Sequence, residues 1–245
     1  MGVADVEAFW REVRQEAERR DSDEILTYMR RLLTVAEARG TPVTRELLQA
    51  HGSQTPLFDG VVDWFDEIDA YGRRKGLEIE HYVVSSGIRE MIEGCSIFGR
   101  FRRVFASSYA YDELGKAIWP ACAINYTNKT QFLFRINKGI DTTWDNSAIN
   151  AWMPPHQRRI PFERMLFLGD GDTDIPSMKM VRQKGGQAVA VFDPAKFARR
   201  ISQGHIERLI AEDRVDYVAS ADYTAESILS VTVKGILGRM SRHLS

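Results

Sequence analysis

The chain has 245 residues, 44% of them hydrophobic and 27% charged, with a formal net charge of −1. That is enough for one substantial globular domain, or one domain plus a smaller one. The balanced charge gives no general attraction to nucleic acid or to an anionic membrane, so neither is expected as a partner. No apolar run approaches the ~18 residues of a transmembrane helix, and the acidic, amphipathic start is not a signal peptide. Cys95 and Cys122 are far apart in apolar surroundings and read as buried structural thiols of a cytoplasmic protein.

The first 55 residues read as helix only. Val6, Phe9, Trp10, Val13 and Ala17 repeat at helical spacing, and so do Ile25, Tyr28, Met29, Leu32, Leu33 and Ala36. Ser22 is placed to cap the second helix and Gly40 to end it. A shorter helix is predicted over Thr44 to His51. These apolar stripes need a partner to cover them, and residues 1–55 are taken as a small helical cap domain.

From residue 56 to 245 strands and helices alternate, which predicts an α/β core with a largely parallel sheet. Leu57-Phe58-Asp59-Gly60 is a turn, and Val61 to Tyr71 a helix. His81 to Gly87 is a buried strand ending in two hydroxyls and a glycine, followed by a helix over Ile88 to Glu93. Arg103 to Tyr109 is a strand, Asp112 to Gly115 a hairpin turn, and Ala117 to Ile124 its continuation. Lys129 to Ile136 is helical and closed by Gly139; Asp141 to Arg159 is an irregular surface excursion. Later come a helix over Ser177 to Lys184, a buried strand over Ala188 to Phe192 and a helix over Lys196 to Glu212. A short strand over Tyr217 to Ala219 and a C-terminal helix finish the chain.

The centre of the sequence is Met165-Leu166-Phe167-Leu168-Gly169-Asp170-Gly171-Asp172-Thr173-Asp174-Ile175-Pro176. Four apolar residues read as a short, fully buried strand, the glycines as a tight turn, and Pro176 as first-turn helix. Three carboxylates are thereby gathered beyond the carboxyl end of a strand, where open α/β sheets bind ligands. Clustered carboxylates repel unless a cation sits among them, and hard oxygen donors suit Mg²⁺. An Asp-rich turn is also ordinary solvated turn chemistry when it stands alone.

Two other pieces complement it. The Ser85 hydroxyl, with Ser86, Gly87 and the helix start after them, could hold a phosphate oxygen. Lys129, opening its helix, is a point cation able to neutralise phosphate or an acid. Taken singly, such a serine is usually a turn residue and such a lysine a solvated one.

In this order the three pieces resemble the haloacid dehalogenase-like (HAD) hydrolase superfamily, particularly its phosphoserine-phosphatase-like branch. Val83-Val84-Ser85-Ser86-Gly87 resembles the second motif, Lys129 the third-motif lysine, and Gly169-Asp170-Gly171-Asp172-Thr173-Asp174 the fourth. The resemblance implies a Rossmann-like sheet with helices on both faces, and Ser85, Lys129 and Asp174 in catalytic roles. It implies phosphate binding by Ser85, Ser86, Gly87 and Lys129, and Mg²⁺ held by Asp170 and Asp174. Asp172 falls on a variable position. The implied activity is Mg²⁺-dependent hydrolysis of a small phosphorylated metabolite. Nothing in the sequence sets the oligomeric state.

One departure matters. The superfamily's first motif is an apolar strand followed by Asp-x-Asp-x-Thr or Asp-x-Asp-x-Val, whose first Asp is the nucleophile and whose second is the general acid/base. This sequence lacks it. Met1 to Ala4 is too short for a strand, the residues after Asp5 read as helix, and Asp63, Asp66 and Asp69 lie on a helix. Without a nucleophile, positioning and charge neutralisation remain but covalent phosphoryl transfer does not. The central strand of the sheet is expected to be missing too. The expectation is a chain that starts too late, inactive alone, with its catalytic pair upstream of Met1. The alternative is a non-catalytic phosphate- or partner-binding module.

Overall fold

The computed structural model describes residues 5–170, 172–197 and 200–242; Met1 to Ala4 and Gly171 lie outside it. In chain order come α1 (Val6–Arg20), α2 (Glu24–Ala38), α3 (Arg45–Ser53), α4 (Val61–Arg74), β1 (Tyr82–Ile88), α5 (Arg89–Gly94), β2 (Arg103–Tyr111) and β3 (Ala117–Cys122). Then follow α6 (Lys129–Lys138), α7 (Asn146–Asn150), β4 (Leu166–Gly169), α8 (Ile175–Gln183), β5 (Gln187–Phe192), α9 (Pro194–Phe197), α10 (Arg200–Ala211), β6 (Tyr217–Ser220) and α11 (Ile228–Arg242). The chain forms two compact units: Met1–Thr55 with Tyr82–Asn125, and Pro56–His81 with Tyr126–Ser245. Residue 55 is thus one crossing point, and the chain returns to the first unit at Tyr82.

In the first unit α1, α2 and α3 start on side-chain caps. Asp5 accepts from Ala8 N, Asp23 from Leu26 N and Thr44 from Leu47 N, each worth about 1 kcal/mol. Asp23, not Ser22, caps α2; the Ser22 hydroxyl instead meets that of Thr27 at 2.9 Å. The helical stripes find their cover in residues 82–125. Phe9, Val13, Ile25, Tyr28, Met29, Ala36 and Leu48 share one apolar cluster with Ile88, Tyr109 and Ala117. A helical unit of this size buries too little by itself, which explains why a sheet joins it. β1 pairs in parallel with β2, and β2 antiparallel with β3 through the Asp112–Gly115 turn. The Asp112 carboxylate accepts from Leu114 N and Lys116 N, fixing that turn. The tightest helix contact is α3 on α5. A Cβ at Gly52 would stand 1.8 Å from Met91 O, and one at Gly94 1.9 Å from Gln49 O, so only glycine permits this approach.

In the second unit β4, β5 and β6 run parallel in that order. Ala188 to Val191 of β5 are buried on both faces of the strand, as expected for the centre of a parallel sheet. Met178 of α8 and Ile206 and Leu209 of α10 cluster with Ala188 and Ala190. Val181, Leu229, Val233, Ile236 and Leu237 are buried along α8 and α11. Glu67 of α4 pairs with Lys234 of α11 and accepts from Ser230 at 3.3 Å. The excursion after α6 carries the short α7 and a 3₁₀ turn at Pro155–Gln157, and is held by α6. Arg135 donates to the carbonyls of Thr142 and Asp145, and Asn137 to that of Ile160.

The α/β class, with parallel pairing and helices on both sides, is as the alternation of elements implies. Three details differ. The described residues form two three-stranded sheets in place of one, and β1 and β4 each end their own sheet. Leu166, Phe167 and Leu168, read as fully buried, are half-buried for the same reason: an edge strand has a neighbour on one side only. Cys95 and Cys122 are also half-buried, and no disulfide joins them.

Candidate functional site

The acidic loop and α6 meet in the second unit. β4 ends at Gly169, and the chain turns through a short 3₁₀ segment, Asp172–Asp174, into α8. Asp174 therefore sits at the N-terminal end of α8, where a carboxylate is favoured by the helix dipole. One of its oxygens, Oδ1, takes Lys129 Nζ at 2.8 Å; the other, Oδ2, accepts the Asp170 N–H at 3.1 Å. The Lys129 ammonium also donates to Thr173 Oγ1 at 3.1 Å. Lys129 and Asp174 are only 4% and 6% exposed. A first-turn lysine is ordinarily solvated, so this one is buried because it has an acid to meet. Gly169 makes room for that acid, since a Cβ there would stand 2.8 Å from Asp174 Cβ.

Asp170 is held by its backbone and keeps its side chain exposed. Its carboxyl is pushed above the usual carboxylate range, first by desolvation and then by the Asp174 charge; Lys129 and Lys196 oppose the shift. Desolvation is the larger cause of the shift, and the two carboxylates are opposed by two ammonium groups.

Two side chains electrostatically linked to Asp170 were not singled out from sequence. Lys196 lies in α9, just after β5, and Tyr223 follows β6; the Asp170 charge contributes to raising the Tyr223 phenol. The strand-end rule used for β4, applied to β5 and β6, would have found both.

Ser85, Ser86 and Gly87 belong to the first unit. β1 runs on through them to Ile88 with a register shift, and α5 begins only at Arg89. The Ser85 hydroxyl accepts the Gly87 N–H at 3.0 Å, and the Ser86 carbonyl accepts from the Tyr28 hydroxyl at 2.8 Å. The N–H expected to face a phosphate is here satisfied by the neighbouring serine. Asp5 is a helix cap, and Asp69 pairs with His81 at 2.8 Å.

The described residues contain no group of three or more His, Cys, Asp or Glu that could hold a metal ion. Asp170, with Asp174 beside it, still suits Mg²⁺, because the donors are hard oxygens. Mg²⁺ is commonly held by one or two carboxylates together with a phosphate, so these donors fit a weakly held ion.

No family model matches the chain. A curated relative, an uncharacterized protein of Borreliella burgdorferi, is 26% identical over 244 residues, covering 89% of this chain and 81% of its own. Among solved structures, a HAD family hydrolase from Salmonella enterica serovar Typhi superposes with a TM-score of 0.54 at 14% identity. That match covers 93% of this chain but spans only 60% of the Salmonella chain. Cytosolic 5'-nucleotidase IIIB bound to cytidine gives 0.48 at 14% identity, covering 97% and 73%. The likeness to the Salmonella protein shows the fold to be that of a HAD family hydrolase. Among the described residues no helix is long and apolar enough to cross a membrane.

Proposed function

We propose that the second unit carries the cation- and phosphate-neutralising part of a phosphatase-type site, specific for a small phosphorylated metabolite, and that this chain alone binds without turning over. The observation that carries it is the buried Lys129–Asp174 pair at 2.8 Å, whose acid also anchors the Asp170 N–H. A buried ion pair built over 45 positions of sequence is poor value as a stability device, because its desolvation offsets most of the Coulombic gain. It is well suited to fixing charges where a ligand arrives.

In this reading Asp170 and Asp174 hold Mg²⁺, which when bound supplies positive charge to a phosphate oxygen. Asp174 keeps Lys129 and Asp170 in register. Lys129, with one ammonium donor beyond the two given to Asp174 and Thr173, offers it to the phosphate. No Asp-x-Asp-x-Thr or Asp-x-Asp-x-Val follows an apolar strand in the sequence, so in this reading the attacking carboxylate is not supplied here. The intact activity of this type is hydrolysis of a phosphoric monoester.

Calorimetry of the 245-residue chain with MgCl₂ and inorganic phosphate tests this. Binding that is lost in Asp170→Asn and weakened in Lys129→Ala supports it. Binding unchanged by both substitutions, or steady phosphate release from p-nitrophenyl phosphate, overturns it.

A further inference from the structure

The excursion after α6 carries the two most exposed aromatic side chains among the described residues. Trp144 is 77% exposed and Trp152 is 83% exposed, one on each side of α7. The segment that presents them is firmly braced. Arg135, fully buried on α6, donates to the carbonyls of Thr142 at 2.7 Å and Asp145 at 3.1 Å. Lys138 Nζ donates to the carbonyls of Ile149 at 2.5 Å and Ala151 at 2.6 Å. Asp145 Oδ1 accepts from Ala148 N and Ser147 Oγ, closing the start of α7. An indole left in water forgoes the gain of burying it. A segment held this way spares a partner most of the cost of ordering it.

We propose that this segment is the contact face of a homodimer, in which the tryptophans of one copy lie on the prolines of the other. Three observations select a second copy as the occupant. One segment holds both halves of the contact. Pro154 and Pro155 follow Trp152, and Pro154 has a φ of −58° and a ψ of 147°, the polyproline backbone on which aromatic side chains pack. A two-fold interface needs this self-complementarity, because both copies present the same patch. Charge also changes sign along the segment. Asp141 and Asp145 lie on its first arm, Arg158 and Arg159 on its last, so copies set antiparallel bring acid towards base. Finally, four such indoles and the surface they cover come to about 1,000–1,500 Å², the size a specific but modest dimer needs. The pairing is independent of the phosphate site.

Sedimentation velocity of the full chain at rising concentration tests this. A dimer with a Kd of about 1–100 µM is expected. Trp144→Ala and Trp152→Ala should each weaken it about 10–30-fold, and the double variant should be monomeric. Both side chains are exposed, so the variants should keep the native circular-dichroism spectrum. Trp119→Ala removes another exposed indole, 62% exposed in the first unit, and should leave the dimer unchanged. A native chain that is monomeric throughout, a double variant that still dimerises, or dissociation by Trp119→Ala overturns the proposal. So does a monomeric chain whose Trp144 and Trp152 take phosphatidylcholine vesicles or a proline-rich peptide instead.

Discussion

The ends of β1 and β4 look alike as chain: an apolar strand runs into a glycine with polar residues beside it. They dispose of those polar groups in opposite ways. At β1 the Ser85 hydroxyl turns back on the Gly87 N–H two residues away. At β4 the Asp174 carboxylate reaches Lys129, 45 positions earlier, and both are buried. A bond to a near neighbour shapes the backbone and needs no tertiary structure. A bond across 45 positions forms only after folding, and burying its two charges costs several kcal/mol that must be recovered from their pairing. The difference separates a local bond from a tertiary one.

That contrast can be broken from either side. The largest effect is expected for Lys129→Ala, which leaves Asp174 buried without its cation and should cost about 3–5 kcal/mol in urea unfolding. Replacing both partners, as in Lys129→Met with Asp174→Leu, should cost distinctly less, because no charge is then stranded. In the first unit the comparable weak point is apolar. Gly52→Ala puts a methyl where Met91 O stands and should cost about 1–3 kcal/mol or more by forcing α3 from α5.

A smaller effect, of opposite sign, is expected at Asp170. Its folded-state pKa is raised, so the native state holds this proton more tightly than the unfolded chain does. Stability from this group is then present below the unfolded value of about 3.9 and lost as pH rises through the folded value. Asp170→Asn should leave stability at neutral pH equal or slightly higher and flatten this part of the pH–stability curve, as read by urea titration at several pH values. A steeper curve in the variant would contradict the assignment. The smallest effect belongs to Ser85→Ala, which removes one local bond and should cost about 0.5–1.5 kcal/mol. A loss as large as that of Lys129→Ala would mean that Ser85 does more than shape its turn.

Much of this was legible in the chain because it is local. Helical spacing from Val6 to Ala36, the Asp112 turn and the apolar run of β5 each declare their element within a few residues. Leu166 to Leu168 misled for a physical reason: an apolar run states that a strand is wanted, not how many neighbours it will have. Ser22 misled as a cap because Asp23, one residue on, offers a better-placed carboxylate.

The sequence by itself determined the α/β alternation, the acidic turn after β4 and the presence of Lys129 at the start of α6, since periodicity and turn chemistry act over short range. Tertiary structure alone decided that the N-terminal helices share a core with residues 82–125 and that Lys129 is buried on Asp174. Such contacts join positions far apart in the chain, and burial and charge pairing exist only once the chain has closed around them.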